Sequence, residues 1–535
     1  MLLLDLKILI SDILATGKGL KSFTRDFIGA GPRTVAGILK KYGIKSEISL
    51  FNESNSKKMK DFDILMISAM SMDAQACKIL IKNWRAIKDG NYNPIILGGP
   101  IVCSSDHLIK NLNFDLGLIG EAELGIEKLI NKKILNNFEK NQDILKEIDG
   151  IIFKKDNILK INPITSYLDK KTFNSFLPST SHVKYYPNYF IARVYVECVR
   201  GCSNFNRTKL KLIDGRKCNN CNICEEKPND RLNCPKKIPP GCGYCSVPSV
   251  YGPSKSKTKQ NILSDIRGLI KEGVRKIVLG GPDFLDYERE SLIDSDWLMN
   301  PINPRSNVKA IEDLLAEIYS IPEINQKKVF VAIENIKPNL FTEEIAEIIS
   351  KYLPNTYLSI GCETGSPKLA ELIGRPSLPK DALNAVKIAK RNGIKVHAYF
   401  IHNLPGQDKI AALKTKELMI NLQKLDADKI TIYRFKALPS SAFQDFNSKE
   451  SIYSKKLKKL AIKINREQKQ KYLGKKFRIF ISERHFTDPS IGIGVFLTEG
   501  PSVLVPNAGQ LVGNEVDVII KRIVSDKLIE GSIVI

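Results

Sequence analysis

Eight of the eleven cysteines in this 535-residue chain lie between Cys198 and Cys245, which makes metal or iron–sulfur ligation the first chemistry to consider. Cys202 stands near the start of this segment, and Cys242-Gly-Tyr-Cys245 ends it. Two thiolates separated by two residues are within reach of one metal ion or cluster. A cluster held by three cysteines keeps one iron open for a further ligand. A disulfide scaffold does not fit, because such chains are short and rich in cysteine throughout.

Four more cysteines lie in the 39 residues between Cys202 and Cys242. They form a Cys-x2-Cys-x2-Cys run and a later Cys-Pro, and they are Cys218, Cys221, Cys224 and Cys234. Ferredoxin-type chains hold a [4Fe–4S] cluster with such a run. Two Cys-x2-Cys pairs also suit tetrahedral zinc, with thiolate–zinc distances of about 2.3 Å. We therefore expect a second metal site, either an auxiliary cluster or a zinc or mononuclear iron ion. Without a metal, nothing would order thiols in this Lys/Asn-rich loop.

The first 130 residues alternate short apolar runs with helical patterns, which predicts an α/β domain on a parallel sheet. Helices are expected over 32–43 and 77–87, and strands over 63–68, 94–97 and 116–119. Glycine, serine or glutamate follows each strand. Ligands bind beyond the carboxyl ends of parallel strands, so the candidate binding residues here are Ser68, Gly98, Gly99, Gly120 and Glu121.

Strand and helix patterns resume after a Lys/Asn-rich connector over 131–187, which includes a small hairpin near 150–153. Six repeats of strand then helix predict a full or partial (β/α) barrel, whose active site lies at the carboxyl ends of its strands. The last 60 residues have alternating, glycine-punctuated patterns that indicate a small β-barrel. The six barrel strands are expected at 191–196, 276–279, 329–333, 358–361, 395–400 and 429–433.

The chain is strongly basic, with 82 Lys and Arg against 58 Asp and Glu and a net charge of +24. RNA, an acidic partner or polyanionic cofactors would explain the excess, and so would a Lys- and Ile-rich, thermophilic proteome. The clearest concentration is a basic amphipathic helix expected near 455–476, where only Glu467 is acidic between Lys455 and Arg478. We expect no secretory signal and no membrane span, hence a soluble, cytoplasmic protein of a reducing compartment.

The cysteine segment resembles the radical S-adenosylmethionine (SAM) superfamily, whose signature is Cys-x3-Cys-x2-Cys after the first barrel strand. Glu197-Cys198-Val-Arg-Gly-Cys202 looks like the usual start of that motif, and Gly-Cys242-Gly-Tyr-Cys245 like its end. The departure is the insertion over 203–241, which replaces three residues. A trio starting at Cys198 fails because Phe205 occupies the next ligand position. The resemblance therefore implies that Cys202, Cys242 and Cys245 hold the catalytic [4Fe–4S] cluster, with Tyr244 contributing to the cofactor site, and that Cys198 is a small buried hydrophobe.

Later loops of the barrel also resemble SAM-binding segments of the superfamily. Gly280-Gly281-Pro-Asp283 follows the second strand, where the superfamily binds the SAM amino group through Gly-Gly-Glu; backbone carbonyls would serve here. The segment that contacts SAM ribose and carboxylate corresponds to Glu363-Thr-Gly365-Ser366, and the adenine-side loop starts near His402. The cofactor-binding residues implied are Gly280, Gly281, Glu363, Gly365, Ser366 and His402.

The N-terminal domain resembles the cobalamin-binding domain that precedes many radical SAM barrels. Its Asp-x-His-x-x-Gly motif is absent, and His107 is interpreted as a solvated loop histidine. We therefore expect cobalamin with no histidine below the cobalt; the alternative is a Rossmann-like domain that binds nothing. The C-terminal barrel looks like a TRAM domain, and such OB-like barrels commonly bind RNA.

These resemblances imply five segments. They are a Rossmann-like cobalamin-binding domain (1–150), a connector (151–187), a radical SAM (β/α)6 partial TIM barrel (188–440) with the insertion, a basic helical linker (441–475) and a TRAM-like barrel (476–535).

As a whole, the chain resembles archaeal cobalamin-dependent radical SAM methyltransferases of the class B type. The resemblance implies that a 5′-deoxyadenosyl radical takes hydrogen from an unactivated carbon, which then receives methyl from methylcobalamin. A protein or peptide is the expected substrate, and a ferredoxin- or flavodoxin-like protein the electron donor.

Two alternatives to the methyltransferase remain. A tRNA methylthiotransferase normally has three cluster cysteines in its N-terminal domain, where this chain offers only Cys77 and Cys103. The other is a non-catalytic RNA-binding protein, against which the intact cysteine triad argues.

Overall fold

The chain divides into two units. The first comprises Met1–Tyr189 with Val250–Gly252 and Gln260–Glu272, and the second comprises Phe190–Ser249, Pro253–Lys259 and Gly273–Ile535. The computed structural model describes residues 6–13, 16, 27–54, 56–87, 93–103, 109–136, 138, 142–155, 158–226, 228–293, 300–447 and 450–534.

The first unit is built on a sheet of seven strands, of which five neighbours run parallel and two extend the sheet antiparallel. The strands of this sheet are β1 (Lys7–Asp12), β3 (Lys45–Leu50), β4 (Ile64–Ser68), β5 (Ile95–Gly98), β6 (Leu116–Leu118), β7 (Ile151–Lys155) and β8 (Ile158–Ile161). The unit also contains the two-residue strand β2 (Phe27–Ile28), which lies outside this sheet. Its helices are Ala30–Lys41, Ser56–Met59, Ala74–Ile87, Ala122–Asn131, Gln142–Leu145 and Lys170–Asn174.

The spatial order of this sheet is β3-β1-β4-β5-β6-β7-β8. The direction of strand progression reverses between β1 and β4, and ligands of open α/β sheets bind outside the carboxyl ends of the strands at such a point. Asp12 ends β1 and Ser68 ends β4, so both lie at this crevice. The Asp12 carboxylate accepts a hydrogen bond of 2.8 Å from the buried Tyr186 hydroxyl, which ties the connector to the sheet.

The expected strands over 63–68, 94–97 and 116–119 are confirmed as β4, β5 and β6, and the hairpin near 150–153 is confirmed as β7 and β8. Sequence analysis missed β1 and β3, which pair in parallel with each other. Charged residues flank the apolar core of β1 and polar ones alternate through β3, so neither has the continuous apolar run that marks a buried parallel strand.

The second unit contains six parallel strands in the order β9-β12-β13-β14-β15-β16, and all six predicted barrel strands are confirmed. The strands are β9 (Arg193–Glu197), β10 (Val199–Arg200), β11 (Lys255–Ser256), β12 (Lys276–Gly280), β13 (Phe330–Ile336), β14 (Tyr357–Glu363), β15 (Lys395–His402) and β16 (Lys429–Arg434). Helices after residue 200 are Pro228–Leu232, Val247–Tyr251, Lys259–Lys271, Val308–Tyr319, Pro322–Asn325, Glu343–Tyr352, Pro367–Leu372, Pro379–Arg391, Lys409–Lys424 and Ile452–Gln468. These strands and helices form a partial (β/α) barrel, as the alternating pattern predicts.

A closed five-stranded barrel ends the chain, as the glycine-punctuated pattern predicts. Its strands are β17 (Lys476–Arg484), β18 (Gly492–Val495), β19 (Ser502–Val505), β20 (Glu515–Ile523) and β21 (Leu528–Ile533). The Lys276 ammonium, at the start of β12, donates to the carbonyls of Phe496 and Thr498 over 3.0 Å each. This barrel therefore packs at the amino ends of the parallel strands, opposite to their carboxyl ends.

Within the described part of the chain, none of the helices is both long and apolar enough to cross a membrane.

Candidate functional site

The loop after β9 is held rigidly around Cys202. Glu197 and Arg200 form a two-point ion pair, with distances of 2.7 and 2.8 Å, that closes the turn. Gly201 adopts φ +77°, a left-handed conformation that glycine tolerates without cost. β10 pairs with β11, so the chain beside Cys202 is anchored on both sides.

The structure brings Cys202, Cys242 and Cys245 together despite the insertion. Asn204 spans two of them: its backbone N–H donates to Cys202 Sγ and its Nδ2 to Cys242 Sγ, both over 3.3 Å. Burial raises the pKa of Cys202 to about 11. Burial also raises the pKa of Cys245, as do the charges of the other two thiols. Thiols whose charges affect each other in this way are neighbours, as the ligands of one cluster must be.

Cys198 and Cys362 lie apart from this triad, buried with each sulfur directed at a backbone carbonyl two residues earlier. Both act as small hydrophobic residues of the strand ends. This agrees with the interpretation of Cys198 as a spectator.

Gly280 and Gly281 lie at the carboxyl end of β12, against the Cys202 loop. The carbonyl of Gly280 accepts from Cys198 N–H over 2.8 Å. A Cβ on Gly281 would meet the Val199 carbonyl oxygen at 2.9 Å, so only glycine permits this approach. The following Asp283 turns inward: its Oδ1 accepts from the N–H groups of Leu285 and Lys337. Oδ1 is therefore engaged within the protein, whereas the buried Oδ2 accepts no hydrogen bond from the described residues and lies 3.2 Å from the Lys337 ammonium.

A buried charge network that sequence analysis missed lies beside Cys202. The Lys337 ammonium, just after β13, is 2.8 Å from Asp286 Oδ2 and from Ser203 Oγ, and 3.2 Å from Asp283 Oδ2. Arg289 also binds Asp286. Burial would lower the pKa of Lys337, but the charges of Asp286 and Cys202 raise it above its usual value. No sequence signal marked this lysine, because Asp283 and Asp286 are more than fifty residues away in the chain and Ser203 is 134 residues away.

Tyr244 and Glu363 are brought together by Arg375, a second residue that sequence analysis missed. Arg375 Nη1 donates to the Tyr244 hydroxyl over 2.8 Å and lies 3.5 Å from Glu363 Oε1. Glu363 has φ +60° at the irregular end of β14, where the pairing with β15 shifts register. Burial raises the pKa of Glu363. A non-glycine residue held left-handed at a strand end is a feature of functional sites.

Gly365 and Ser366 shape the loop after β14. A Cβ on Gly365 would collide with the Lys414 carbonyl and come within 2.6 Å of Thr415 Cα. Ser366 caps the helix Pro367–Leu372, accepting from Leu369 N–H over 3.3 Å. Both therefore position the backbone that follows Glu363.

His402 lies buried at the carboxyl end of β15, where the adenine-side loop was expected. Its Nδ1 has no hydrogen-bond partner in the protein. Burial lowers its pKa to about 4, so the ring is neutral at physiological pH. A buried polar atom without a partner indicates a ligand or water.

Two of the four cysteines of the insertion lie close to this region. Cys218 and Cys234 pack against a hydrophobic cluster that also contacts Tyr244, whereas Cys221 is exposed. In the described residues, no three Cys, His, Asp or Glu side chains converge as the ligands of a single ion do.

In the first unit, Ser68, Gly98 and Gly99 end the neighbouring strands β4 and β5. Gly99 has φ +84°, and a Cβ there would come within 2.7 Å of the Ala69 carbonyl oxygen. Gly98 is open, since a Cβ would meet nothing closer than 3.7 Å. Cys103 lies near this edge at the end of a short turn, and Cys77 is fully buried in the helix Ala74–Ile87.

Glu121 borders a cavity of about 70 Å³ after β6, and the preceding Gly120 has φ +73°. Glu121 accepts from Leu168 N–H over 2.8 Å, and burial raises the pKa of Tyr167 in the cavity wall to about 12. His107 lies outside the described residues. The loops after β4, β5 and β6 thus form one edge, as the strand pattern predicts.

Side chains of the barrel strands β9, β13, β14 and β15 form a polar cluster. Tyr195 of β9 donates its hydroxyl to Glu334 near the end of β13. Tyr399 of β15 faces Ser359 of β14 and is affected by the charge of Glu334. Burial raises the pKa of both phenols above their usual value. These groups form a polar wall with one carboxylate below the strand ends.

The basic segment over 455–478 is partly neutralised. Lys471 pairs with Asp428 over 2.8 Å, and Lys476 and Arg478 pair with Asp517 over 3.0 and 2.9 Å. Lys458 and Lys463 pair with Glu450 and Glu467. Any phosphate backbone would have to compete with these carboxylates.

The sequence over residues 233–419 matches the family model "Radical SAM superfamily". The chain is 41% identical over 531 residues to MJ1620, an uncharacterized protein of Methanocaldococcus jannaschii, covering 99% of this chain and 98% of that protein. It is 35% identical to MK0932, an uncharacterized protein of Methanopyrus kandleri, covering 98% and 96%. Identity to the ribosomal protein uS12 methylthiotransferase RimO of Protochlamydia amoebophila is 23%, over 51% of this chain and 57% of that protein.

Two solved structures share the fold. TsrM, a radical S-adenosylmethionine methyltransferase from Kitasatospora setae, superposes with a TM-score of 0.58 at 12% identity, covering 82% of this chain and 75% of that chain. OxsB, a cobalamin-dependent S-adenosylmethionine radical enzyme, gives a TM-score of 0.54 at 14% identity, covering 78% and 52%. At such identities the likeness shows the fold alone.

Proposed function

Because the chain belongs to the radical SAM superfamily, and to one family with MJ1620 and MK0932, we propose that it is a cobalamin-dependent radical SAM methyltransferase. Its proposed target is an unactivated carbon of a protein or peptide. The observation that carries the proposal is the meeting of Cys202, Cys242 and Cys245 at the carboxyl end of the barrel, bridged by Asn204. The fold shared with TsrM and OxsB supports the cobalamin requirement.

The residues at this end of the barrel fit a [4Fe–4S] cluster with SAM. Three partly buried thiols are neighbours, and two polar atoms at this end of the barrel lack protein partners among the described residues, namely His402 Nδ1 and Arg375 Nε. When bound, the cluster with SAM supplies a radical that takes hydrogen from carbon, and methylcobalamin supplies the methyl group. A ferredoxin- or flavodoxin-like protein is the proposed electron donor.

The protein's own groups orient the cofactor and exclude water. Arg375 fixes Tyr244 against the end of β14, so the aromatic ring cannot swing out of the cluster loop. Lys337 places a positive charge near Cys202. This charge would stabilise the negative charge that a bound cluster gains on reduction. Asp283 is occupied by Lys337, so the carbonyls of the Gly280-Gly281 segment are the proposed acceptors for the SAM ammonium.

The first unit fits cobalamin at the edge formed by Ser68 and Gly98. Gly98 leaves open space there, as close approach of a bulky ligand requires. The cavity beside Glu121 lies at the end of β6 in the same sheet. The proposed contacts are Ser68, Gly98, Gly99, Gly120 and Glu121.

The proposed substrate position is the polar wall of the barrel. Glu334 and the phenols of Tyr195 and Tyr399 can accept and donate hydrogen bonds there. A peptide backbone or a polar side chain offers the matching groups. The methylated carbon would then lie between this wall and the cluster loop.

Anaerobic purification with added cobalamin, followed by quantitation of iron, sulfide and corrinoid, tests the proposal. The wild type should carry bound corrinoid and cleave SAM, and the Cys202→Ala/Cys242→Ala/Cys245→Ala variant should retain corrinoid but lose SAM cleavage. Cys198→Ala is the matched control and should behave as wild type, because Cys198 is buried outside the triad. Wild-type protein with iron and SAM cleavage but no corrinoid would refute the cobalamin mechanism.

A methylthiotransferase is the second candidate, favoured by the match to RimO. The first unit argues against it, because Cys77 is buried in a helix and leaves Cys103 as the one cysteine near the sheet edge. Mass spectrometry of modified substrate separates the two, since one reaction adds methyl and the other methylthio. RNA that co-purifies with the protein would support tRNA as the substrate.

A further inference from the structure

The insertion over 203–241 folds with little regular structure. In its described residues the helical pieces are a short turn at Ile223–Glu225 and the helix Pro228–Leu232, and no strand forms. Hydrogen bonds between strands therefore do not hold the insertion in place. A long irregular segment inside a folded domain needs another source of order, because fixing its backbone costs conformational entropy.

The backbone around Cys218 is shaped to present sulfur. Asn220 and Asn222 adopt left-handed conformations with φ +54° and +60°. This lets the Asn220 N–H point at Cys218 Sγ over 3.4 Å. Sulfurs of iron–sulfur sites accept hydrogen bonds of this kind.

Cys224 receives a stronger donor from the start of the insertion. Arg207 is buried, and its Nη1 lies 2.9 Å from Cys224 Sγ while its Nε donates to the Ile238 carbonyl over 2.8 Å. The charges of Cys218 and Cys234 also act on Cys224. Cys218, Cys224 and Cys234 are therefore neighbours, although sixteen positions separate the first from the last.

These thiols lie against the same apolar cluster as the catalytic loop. Cys218 and Cys234 pack with Tyr244 on a cluster that includes Ile373 and Phe443. Gly243 N–H donates to Ile373 over 2.7 Å, and its carbonyl accepts from Phe443 over 2.8 Å. Ordering the insertion would therefore also support the position of Cys242 and Cys245.

We propose that Cys218, Cys221, Cys224 and Cys234 ligate a second [4Fe–4S] cluster, which orders the insertion and lies beside the catalytic loop. The exposed Cys221 is the ligand on the solvent side. This proposal goes beyond the methyltransferase function and does not depend on cobalamin.

The spacing of the thiols favours a cluster over a single zinc ion. Ligands of tetrahedral zinc at about 2.3 Å place their sulfurs about 4 Å apart, around one point. In the described residues no three donors converge in that way, and this holds equally for the triad Cys202, Cys242 and Cys245. The Cys-x2-Cys-x2-Cys run with a later Cys-Pro is the spacing by which ferredoxin-type chains hold a [4Fe–4S] cluster, so we assign a cluster rather than zinc.

The primary test counts metal in anaerobically reconstituted full-length protein. Wild type should bind about eight irons with matching sulfide, and Mössbauer spectra should assign all of it to [4Fe–4S] clusters. The variant Cys202→Ser/Cys242→Ser/Cys245→Ser has an intact insertion and should retain about four irons. An iron-free variant with a native melting profile, or about one zinc per chain in the wild type, would overturn the proposal. If the variant does not fold, the wild-type Mössbauer count decides.

A second test uses the exposed ligand in the triad-free background. Adding Cys221→Ser should leave a cluster with three thiolates, and ferricyanide should then take one electron and release one Fe²⁺. The resulting [3Fe–4S]⁺ cluster has a distinct EPR signal. Cys103→Ser in the same background is the control and should not increase that signal. Equal signals from both variants would contradict the assignment of Cys221. Neither test measures methyl transfer, so their failure is distinct from failure of the proposed function.

Discussion

Asn204 Nδ2 donates to Cys242 Sγ over 3.3 Å, while the backbone N–H of Asn204 donates to Cys202 Sγ. One residue thereby joins the two halves of a cluster motif that 39 residues separate. The same amide also reaches the Gly374 carbonyl over 3.0 Å, which fixes it to the loop after the helix Pro367–Leu372.

Replacing Asn204 by Ala should lower the midpoint potential of the SAM cluster. Hydrogen bonds to cluster sulfurs stabilise the more negative, reduced state, so losing one makes reduction harder. EPR-monitored redox titration measures the shift. Asn206→Ala is the matched control, because the contact of Asn206 with this region is through its backbone N–H. An unchanged potential in Asn204→Ala would show that its amide does not act on the cluster.

Lys337→Met should destabilise the protein by about 3 kcal/mol, since it leaves Asp283 buried without its cation. Urea unfolding measures the change. Lys351→Met, at an exposed pair with Glu312, should alter stability far less, because water screens that pair. Similar effects of the two substitutions would mean that the buried network is solvated.

The free energy of unfolding should fall at acid pH because His397 is buried as a neutral ring. This ring stacks on Tyr357 at 4.7 Å and lies 3.9 Å from Glu499, and burial lowers its pKa to about 4. The unfolded chain binds the proton near pH 6.5, so the folded state loses stability as pH falls from about 7 towards 4. Between pH 8 and 5 the loss amounts to about 2 kcal/mol.

The variant His397→Phe keeps the stacked ring and removes this titration. Urea unfolding at both pH values should show the wild type losing about 2 kcal/mol more than the variant. His402 has a similarly lowered pKa but is present in both proteins, so the comparison cancels it. Parallel losses would assign the acid sensitivity to other groups.

Gly365→Ala and Gly31→Ala should have opposite effects. A methyl group at 365 meets the backbone of Lys414 and Thr415 and should cost about 2 kcal/mol. At 31, within the helix Ala30–Lys41, it meets nothing within 4 Å and should stabilise by about 0.5 kcal/mol. Thermal melts of both variants check the signs, and destabilisation by Gly31→Ala would show an unrecognised constraint at the helix start.

The sequence alone determined the six barrel strands and the C-terminal barrel, because local apolar periodicity reports which face of an element is buried. It also determined which thiols are close in the chain, as in Cys242-Gly-Tyr-Cys245. It did not reveal β1 or β3, whose burial depends on neighbours in the sheet rather than on their own composition.

Only the tertiary structure decided which distant groups meet. Cys202 reaches Cys242 because the insertion folds back on the barrel, and Lys337 becomes a buried cation because Asp283 and Asp286 approach it from another strand end. The same holds for the basic segment, whose charge is reduced by Asp428 and Asp517. Such contacts follow from the packing of whole elements, and no local pattern encodes them, because their free energy depends on burial and distance rather than on neighbours in the chain.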